Sequence, residues 1–322
     1  MVRYIVLVLS NRLVSTALAP AIWGTTYLVT SEFLPPDRPL LAAVVRALPA
    51  GLLLTALTRQ LPRGDWWWRS LILGTLNIGA FFALLFVAAY RLPGGVAATV
   101  GAIQPVLVAC LSAGLLGERL KTRTIVAGAA GVAGVSLLVL RADARLDTVG
   151  IVAAVGGAAV MATGVVLAKR WRSPASLLAT TGWQLTAGGL VLVPFLFTFE
   201  GLPSSLSVTN LAGYAYLSVI GAALAYTLWF RGIHAMSPTN VTFLSLLSPL
   251  VATTLGWLVL DQGLTFAQVG GAVLVLSAVV APQVMRERRA GLQCVSRSSS
   301  GFENLPFGSW WERSSTKSVH CG

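Results

Sequence analysis

The sequence predicts an all-α polytopic membrane protein in which ten transmembrane helices form two inverted five-helix repeats. Three observations lead to this fold class: an apolar composition, an internal repeat and a one-sided distribution of positive charge. The chain of 322 residues is 56% hydrophobic and 11% charged, with a mean hydropathy of +0.78. So few charges cannot cover the surface of a soluble protein of this length. We therefore expect apolar segments of roughly 20 residues, each long enough to cross a bilayer about 30 Å thick.

The internal repeat is clearest in two segments that each contain one early proline. Residues 102–120 read AIQPVLVACLSAGLLGERL, and residues 246–264 read LLSPLVATTLGWLVLDQGL. Pro105 and Pro249 coincide at an offset of 144 residues. Each segment is an apolar stretch that ends in a polar turn, so the two segments predict equivalent spans in two copies of one unit.

A second pair of segments supports the repeat. AAVVRALPAGLLL at 42–54 aligns with TTGWQLTAGGLVL at 180–192 at an offset of 138 residues, which places Arg46 on Gln184. If each copy holds an odd number of spans, the second copy crosses the membrane in the opposite sense, an arrangement typical of secondary transporters.

Ten candidate spans follow from the apolar runs and the turn residues between them. The connections contain segments such as LPPDRP, LPRGD and RLPGG, whose prolines, glycines and charges are typical of turns. Five spans in each copy would invert the second copy. The predicted spans are residues 13–31, 40–58, 70–90, 95–116, 124–140, 149–168, 176–197, 210–230, 239–260 and 266–285.

These spans divide the chain into two repeats and a tail. We expect the first repeat at residues 13–140 and the second at 149–285. Residues 286–322 are rich in serine and lack apolar periodicity, which predicts a disordered cytoplasmic tail. Residues 1–12 have a brief apolar run without a small-residue cleavage site, so we expect a frayed or interfacial lead into the first span and not a removed signal peptide.

Positive charge gives the predicted orientation. With the N-terminus in the cytoplasm, fifteen Lys and Arg residues fall on the cytoplasmic side and four on the opposite side. Cytoplasmic loops of membrane proteins carry such an excess. We therefore expect a protein of the inner (plasma) membrane with both termini in the cytoplasm. The net charge of +12 is spread between the spans, which argues against a nucleic-acid partner. The four residues on the opposite side are Arg38, Arg91, Arg141 and Arg145.

The sequence resembles EamA-type transporters of the drug/metabolite transporter superfamily over about residues 13–285. The features that carry the resemblance are WGTTY at 23–27, the span containing Arg46, the proline span ending LLGERL at 115–120, and its weaker second copy. TSEFLPPDRP and RLPGGVAATVGAIQP are most similar to the pigment or metabolite exporter branch. The resemblance implies two inverted EamA repeats that export small organic molecules, such as amino acids, pigments or drug-like compounds, from the cytoplasm by alternating access.

Arg46 is the strongest candidate for the transport site. An arginine near the centre of a span costs about 2.5–3.5 kcal/mol on insertion scales, so its side chain should face a cavity or a polar partner. It either contacts the substrate or bonds to backbone carbonyls of a neighbouring broken helix. We expect Gln184 to line the same cavity from the second repeat. The other candidates are polar or aromatic residues in or near the spans, although such aromatics also serve packing and the interface: Trp23, Tyr27, Asn77, Gln104, Trp183, Tyr226, Trp229 and Asn240.

Three residues are candidates for gating. Pro105 and Pro249 each remove a helical hydrogen bond, so we expect matched kinks that either act as gates or are static. Glu118 follows the first proline span in a Gly-Glu turn typical of the family, whereas the second copy has Gln262 at that position. The resemblance therefore implies gating by a carboxylate in one half.

The sequence holds few residues for catalysis or metal binding. Its two histidines, His234 and His320, fall at a loop and in the tail, and no span holds a pair of carboxylates. The three cysteines have no CxxC spacing. We therefore expect neither an enzyme, nor a metal site, nor a cofactor.

Two further questions stay open at this level. All eleven acidic residues lie in loops, at span ends or in the tail, which disfavours proton antiport through a buried carboxylate and leaves uniport or exchange. The alternative function is a nucleotide-sugar or phosphorylated-metabolite exchanger of the same superfamily, which should require several intramembrane Lys or Arg residues. The partners expected are a small-molecule substrate and the lipid bilayer, and small-residue helix faces fit either internal packing or a homodimer.

Overall fold

The all-α class is confirmed. A computed structural model describes residues 2–36, 38–91, 100–139, 147–259 and 265–280, and none of these residues forms a β-strand. Residues Met1–Val279 form one compact unit. The predicted tail at 286–322 lies outside the described residues.

Helices account for nearly all of the described chain. In the first half these are α1 (Val2–Phe33), α2 (Pro39–Thr58), α3 (Trp66–Gly74 and onward to Phe81–Arg91), α4 (Gln104–Leu116) and α5 (Thr122–Val139). In the second half they are α6 (Thr148–Arg170), α7 (Leu177–Phe199), α8 (Val208–Ser218 and onward to Ala225–Ala235), α9 (Pro238–Phe243 and onward to Leu247–Val259) and α10 (Phe266–Val280).

Seven of these helices are long and apolar enough to cross a membrane: α1 to α3 and α6 to α9. The remaining three, α4, α5 and α10, are apolar but shorter. The first helix begins at Val2, so the segment expected as a frayed lead continues the helix of the first span. The described chain is therefore a multi-helix membrane unit, as its composition predicts.

The helices α3 and α8 are each interrupted by one π-helical segment. Thr75–Ala80 interrupts α3, and Val219–Leu224 interrupts α8. Their first residues lie 144 residues apart, the same offset that relates the two prolines. Because π-helical turns are rare and often lie at functional sites, their recurrence at this offset shows that the sequence repeat extends to backbone geometry.

The two prolines lie where α4 and α9 change their helical geometry. Pro105 is in the first turn of α4, directly after a turn at residues 102–103. In α9 a 3₁₀ step at Leu244–Leu246 precedes the second α-helical segment, and Pro249 lies in the first turn of that segment. First-turn residues have no intrahelical acceptor for their N–H groups, so proline is tolerated there. The expected kinks are therefore breaks between helical segments.

Two long helices, α2 and α7, cross at close range. Gly51 lies against the backbone of Leu185 and Thr186, and Gly189 lies against Leu48, where an added Cβ would be 2.9 Å from the Leu48 N and Cβ atoms. Gly51 and Gly189 are equivalent at the offset of 138, and so are Leu48 and Thr186. Each helix therefore presents the same pair of positions to the other.

Polar contacts fasten both ends of this crossing. At one end the Glu200 carboxylate accepts a hydrogen bond of 3.0 Å from the Leu41 N–H in the first turn of α2, and Arg38 donates to the Glu200 carbonyl at 2.7 Å. A carboxylate is favourable at this position because the helix dipole is positive at the N-terminus. At the other end the Gln60 carboxamide oxygen accepts from the N–H of Ser176, the N-cap residue of α7, at 3.3 Å.

Replacing Gly51 or Gly189 with alanine should destabilise the protein, because the added methyl group meets the backbone of the partner helix. Overpacking of a tight interior costs about 1–3 kcal/mol. We expect a lower melting temperature for both variants in detergent. The control is Gly114→Ala, since a Cβ placed at Gly114 lies within 4 Å of no described atom beyond its chain neighbours and the nearby backbone of its own helix. Equal melting temperatures for all three variants would contradict a close crossing.

Candidate functional site

The π-helical turn of α8 brings together two of the residues singled out in the sequence. Arg46 of α2 donates a hydrogen bond from Nη2 to the carbonyl oxygen of Gly221 at 3.1 Å. The indole N–H of Trp23 in α1 donates to the same oxygen, also at 3.1 Å. A π-helical turn departs from the regular α-helical hydrogen-bonding pattern, and here a carbonyl of that turn accepts from side chains. One carbonyl of α8 therefore holds side chains from both α1 and α2.

Aromatic rings surround this contact. The Arg46 guanidinium carbon lies 5.3 Å from the ring centroid of Phe82, within the range of a cation–π interaction. The Trp23 ring packs 5.1 Å from that of Tyr226 and 5.2 Å from that of Trp229. Arg46 and Trp23 are half-buried, whereas the other three rings are almost fully buried. The site thus combines one half-buried arginine and one half-buried tryptophan with a packed aromatic wall.

Phe82 and a hydroxyl pair beside the site were not singled out by sequence reasoning. The Thr25 Oγ1 and Tyr216 hydroxyl oxygens lie 2.7 Å apart, and both residues are half-buried. Thr25 belongs to the WGTTY segment, so the motif itself was a usable signal for that residue. Phe82 is the second residue after the π-helical turn of α3, and that turn has no signature in the sequence.

The structure places Gln184 against Asn77, in a contact of its own. Asn77 donates from Nδ2 to Gln184 Oε1 at 3.0 Å, and Gln184 donates from Nε2 to the Thr180 carbonyl at 3.3 Å. The Asn77 side chain is 0% exposed and that of Gln184 is 4% exposed. Asn77 lies in the π-helical turn of α3 and is equivalent to Gly221 at the offset of 144. Gln184 is the repeat equivalent of Arg46. Arg46 of α2 therefore contacts the π-helical turn of the second half, and Gln184 of α7 contacts the π-helical turn of the first half.

Trp183 points to a different region from Arg46. Its indole N–H donates to the carbonyl of Gln60 at 2.7 Å, and its ring lies 6.3 Å from that of Trp66. Gln60 belongs to the connection between α2 and α3, and Trp66 is the first residue of α3. Trp183 therefore fastens the end of the α2–α7 crossing where that connection lies.

The remaining candidates lie near the helix breaks or outside the described side chains. Gln104 begins α4 and is half-buried. Asn240 is half-buried in the first turn of α9, where its N–H donates to the N-cap residue Ser237 at 3.4 Å. The side chain of Tyr27 lies outside the described residues.

Glu118 contacts the beginning of α9. Gly117 adopts a φ of 68° that ends α4, a conformation that glycine takes without strain. The Thr239 hydroxyl in the first turn of α9 then donates to Glu118 Oε2 at 3.3 Å. The turn of the first repeat thus places a carboxylate at the positive end of a helix of the second. Gln262 lies outside the described residues.

Comparisons with known proteins agree with this architecture. The model of the EamA-like transporter family matches residues 12–140 and 148–281. Protein PecM of Dickeya dadantii (strain 3937) is 50% identical over 267 residues, which cover 82% of this chain and 90% of that protein. A chloroplastic WAT1-related protein of Arabidopsis thaliana is 31% identical over 274 residues, covering 80% of this chain and 66% of that protein. A protein of known crystal structure with 20% identity has the same fold, with a TM-score of 0.74 over 85% of this chain and 98% of that one.

The resemblance read from the sequence is confirmed by the family match, which accounts for most of the chain in two successive copies. The described residues contain no group of three or more His, Cys, Asp or Glu side chains that could hold a metal ion. The chain belongs to the EamA-like transporter family, and it is a multi-pass membrane transporter and not an enzyme.

Proposed function

We propose that this transporter exports small organic metabolites, of the amino-acid, pigment or drug-like kind, from the cytoplasm across the inner membrane by alternating access. The observation that carries the proposal is the shared acceptor in α8, where the Gly221 carbonyl binds Arg46 of α2 and Trp23 of α1. Three helices meet there at one polar point between aromatic rings. Sites for small organic ligands have this character, since they are mostly apolar with a few convergent polar groups.

The proposed architecture is ten spans in two inverted five-helix repeats, with both termini in the cytoplasm. The double family match and the π-helical turns 144 residues apart support two equivalent units. Two units related by a two-fold axis present the same positions to each other where they meet. The contacts of Gly51 with Thr186 and of Gly189 with Leu48 fit that requirement.

Within this site we assign different roles to the candidate residues. Arg46 and Trp23, which are half-buried, would contact the substrate, and Phe82 would form a face of the pocket. The Asn77–Gln184 pair would hold the equivalent turn of the other half in place. The further residues proposed to line the path are Tyr27, Gln104, Asn240, Tyr226 and Trp229, with Trp183 fastening the end of α7.

The gating proposal concerns the helix breaks and the Glu118 turn. The turn before Pro105 and the 3₁₀ step before Pro249 would let the helical segment that follows each of them change its angle without losing a regular α-helical hydrogen bond. The bond between Glu118 and Thr239 joins α4 of one repeat to α9 of the other. In the predicted orientation this contact lies on the cytoplasmic side, where it would close access from the cytoplasm.

The alternative function is exchange of nucleotide sugars or phosphorylated metabolites. A phosphate group is normally held by several charge-assisted hydrogen bonds. Beside Arg46 the structure places neutral groups: the Trp23 indole, which donates to the same carbonyl, and the Phe82 ring. This composition favours a substrate that carries an aromatic or amphipathic body and little charge.

A counterflow experiment in proteoliposomes separates the two functions. The purified protein is reconstituted with a panel of amino acids, aromatic pigments and sugar phosphates inside, and uptake of the labelled compound from outside is measured. Exchange of unphosphorylated amino acids or pigments is the expected result. Counterflow confined to the sugar phosphates would reject the proposed substrate class in favour of the alternative.

Arg46→Ala should reduce transport about 10- to 100-fold, equivalent to the 1.5–3 kcal/mol of a hydrogen bond to a charged group. Membrane insertion should not suffer, because removing the charge lowers the cost of insertion. Arg46→Lys should restore little if the planar fork of the guanidinium is required. The measurement is initial efflux at matched abundance, with Arg231→Ala as a control that removes an exposed charge near the end of α8. Wild-type efflux from Arg46→Ala would place the arginine outside the transport path.

Gln184→Ala should lower stability, because it leaves the buried Asn77 amide without its acceptor. An unsatisfied buried polar group costs about 1–3 kcal/mol. The double variant Asn77→Ala/Gln184→Ala should therefore lose less stability than the sum of the two single variants. Melting temperatures in detergent supply the three values and the wild type the reference. Strict additivity would show that the two amides do not depend on each other.

The topology follows from the charge distribution and needs a separate test. Reporter fusions after residues 65, 145 and 290 should locate to the cytoplasm, the opposite side and the cytoplasm, in that order. A C-terminal reporter on the side opposite to the cytoplasm would be incompatible with ten spans and an N-terminus inside.

A further inference from the structure

The connections that follow α2 and α6 form one surface rich in arginine and tryptophan, which we call the basic–aromatic patch. It comprises residues 59–69 and 169–172, which together contain six Lys and Arg residues, four Trp residues and a single acid. The structure joins the two stretches, because the rings of Trp68 and Trp171 meet edge to face at 5.3 Å. Both stretches lie at the ends of membrane-spanning helices, so the patch is at the level of the lipid headgroups.

Two of the six cations are engaged in the structure of the patch. The Arg69 guanidinium carbon lies 5.3 to 5.8 Å from the rings of Trp66, Trp68 and Trp171, and its Nη2 pairs with Asp65 at 3.1 Å. This arrangement fixes the three indole rings around one guanidinium and uses the only carboxylate of the patch.

Lys169 is engaged at the end of α8. Its Nζ donates to the carbonyl oxygens of His234 and Met236 at 2.8 and 2.9 Å. A cation is favourable there because the helix dipole is negative at the C-terminus. The Lys169 charge is therefore compensated by these two carbonyl groups and by the helix dipole.

The other four arginines of the patch are exposed and take part in no contact of the kind made by Arg69 and Lys169. Their side chains make no hydrogen bond or ion pair with any other residue in the part of the chain that the structure describes. Beside them, Trp67 is 60% exposed and Trp68 is 45% exposed. The four arginines are Arg59, Arg63, Arg170 and Arg172.

We propose that the basic–aromatic patch binds the phosphate headgroup of an anionic phospholipid. Arginine binds phosphate oxygens through paired N–H donors, and exposed indoles at the end of a span lie among the headgroups and upper acyl chains. The charge of the patch is complementary to an anionic headgroup, and its position places it against the bilayer and not against a soluble partner. The proposal concerns the lipid annulus, so it is independent of which substrate is transported.

The proposal is tested by lipid binding to the purified full-length protein in a neutral detergent. Phosphatidylglycerol and phosphatidylcholine with identical acyl chains are titrated separately, and bound lipid is counted by native mass spectrometry. The wild type should retain phosphatidylglycerol in preference. The variant Arg63→Gln/Arg170→Gln should weaken that binding about fivefold for each arginine removed, the effect of one cation at an anionic lipid surface. Phosphatidylcholine binding should not change.

The matched control is Arg119→Gln/Arg231→Gln, which removes the same charge from two exposed arginines outside the patch. It should retain phosphatidylglycerol like the wild type. An equal loss in both double variants would overturn the proposal, since it would show a diffuse effect of net charge. Equal retention of the two lipids by the wild type would overturn it as well.

Two further arms keep the test decisive. Inorganic phosphate at millimolar concentration should not displace phosphatidylglycerol; displacement would assign the arginines to a soluble phosphorylated ligand and reject a lipid site.

If the Gln variant loses its melting transition, Arg63→Lys/Arg170→Lys replaces it. This variant keeps the charge but not the paired donors, so it should bind phosphatidylglycerol more weakly than the wild type, and wild-type binding would contradict the proposed contact.

Discussion

The close crossing of α2 and α7 is the constraint on which the candidate site depends. Backbones approach this closely only where a side chain is missing, and here Gly51 and Gly189 provide the space. Because both ends of the crossing are also fastened, by Glu200 and by Gln60, neither helix can slide or rotate without breaking polar contacts. Arg46 precedes its glycine by five residues, and its equivalent in α7 does the same. The crossing therefore fixes the positions along the helix axes from which Arg46 and Gln184 contact the π-helical turns.

The same helical frame holds two chemically different contacts, and this difference favours one of them as the proposed substrate site. Asn77 and Gln184 are neutral and buried, and the hydrogen bond between their side chains ties α7 to the π-helical turn of α3 in a low-dielectric interior. Arg46 and Trp23 meet the Gly221 carbonyl in a half-buried position, where a ligand can compete for donors. Two π-helical turns contacted by unlike side chains thus provide one position suited to holding the fold and another suited to binding. A ligand bound at the second position would contact helices of both halves, as alternating access requires.

The sequence was sufficient to predict an all-α membrane protein and to single out Arg46, because an apolar composition and an arginine within an apolar segment are properties of the chain itself. Of the two interpretations left open for Arg46, the backbone-carbonyl contact is now observed, and its partial exposure keeps the substrate role as a proposal. The π-helical turns could not be predicted, since a register change of one residue in a helix depends on what the helix packs against. Phe82 and the pairing of Asn77 with Gln184 depend on those turns. The effect of Pro105 was misjudged for a related reason: a proline is compatible with a kink or with a helix start, and only the backbone around it decides which.

The turn after the first proline span adds a second asymmetry between the halves. Glu118 places a carboxylate at the N-terminus of α9 through Thr239, whereas the equivalent position of the second repeat carries the neutral Gln262. A carboxylate at a helix N-terminus contributes about 0.3–1 kcal/mol more than a neutral group. Under the proposed gating, this carboxylate would favour closure on the Glu118 side by a factor of about two to five relative to a neutral residue at the same position. Two repeats of one architecture can in this way give a transporter whose resting population is biased towards one access state, without any change in the helical frame.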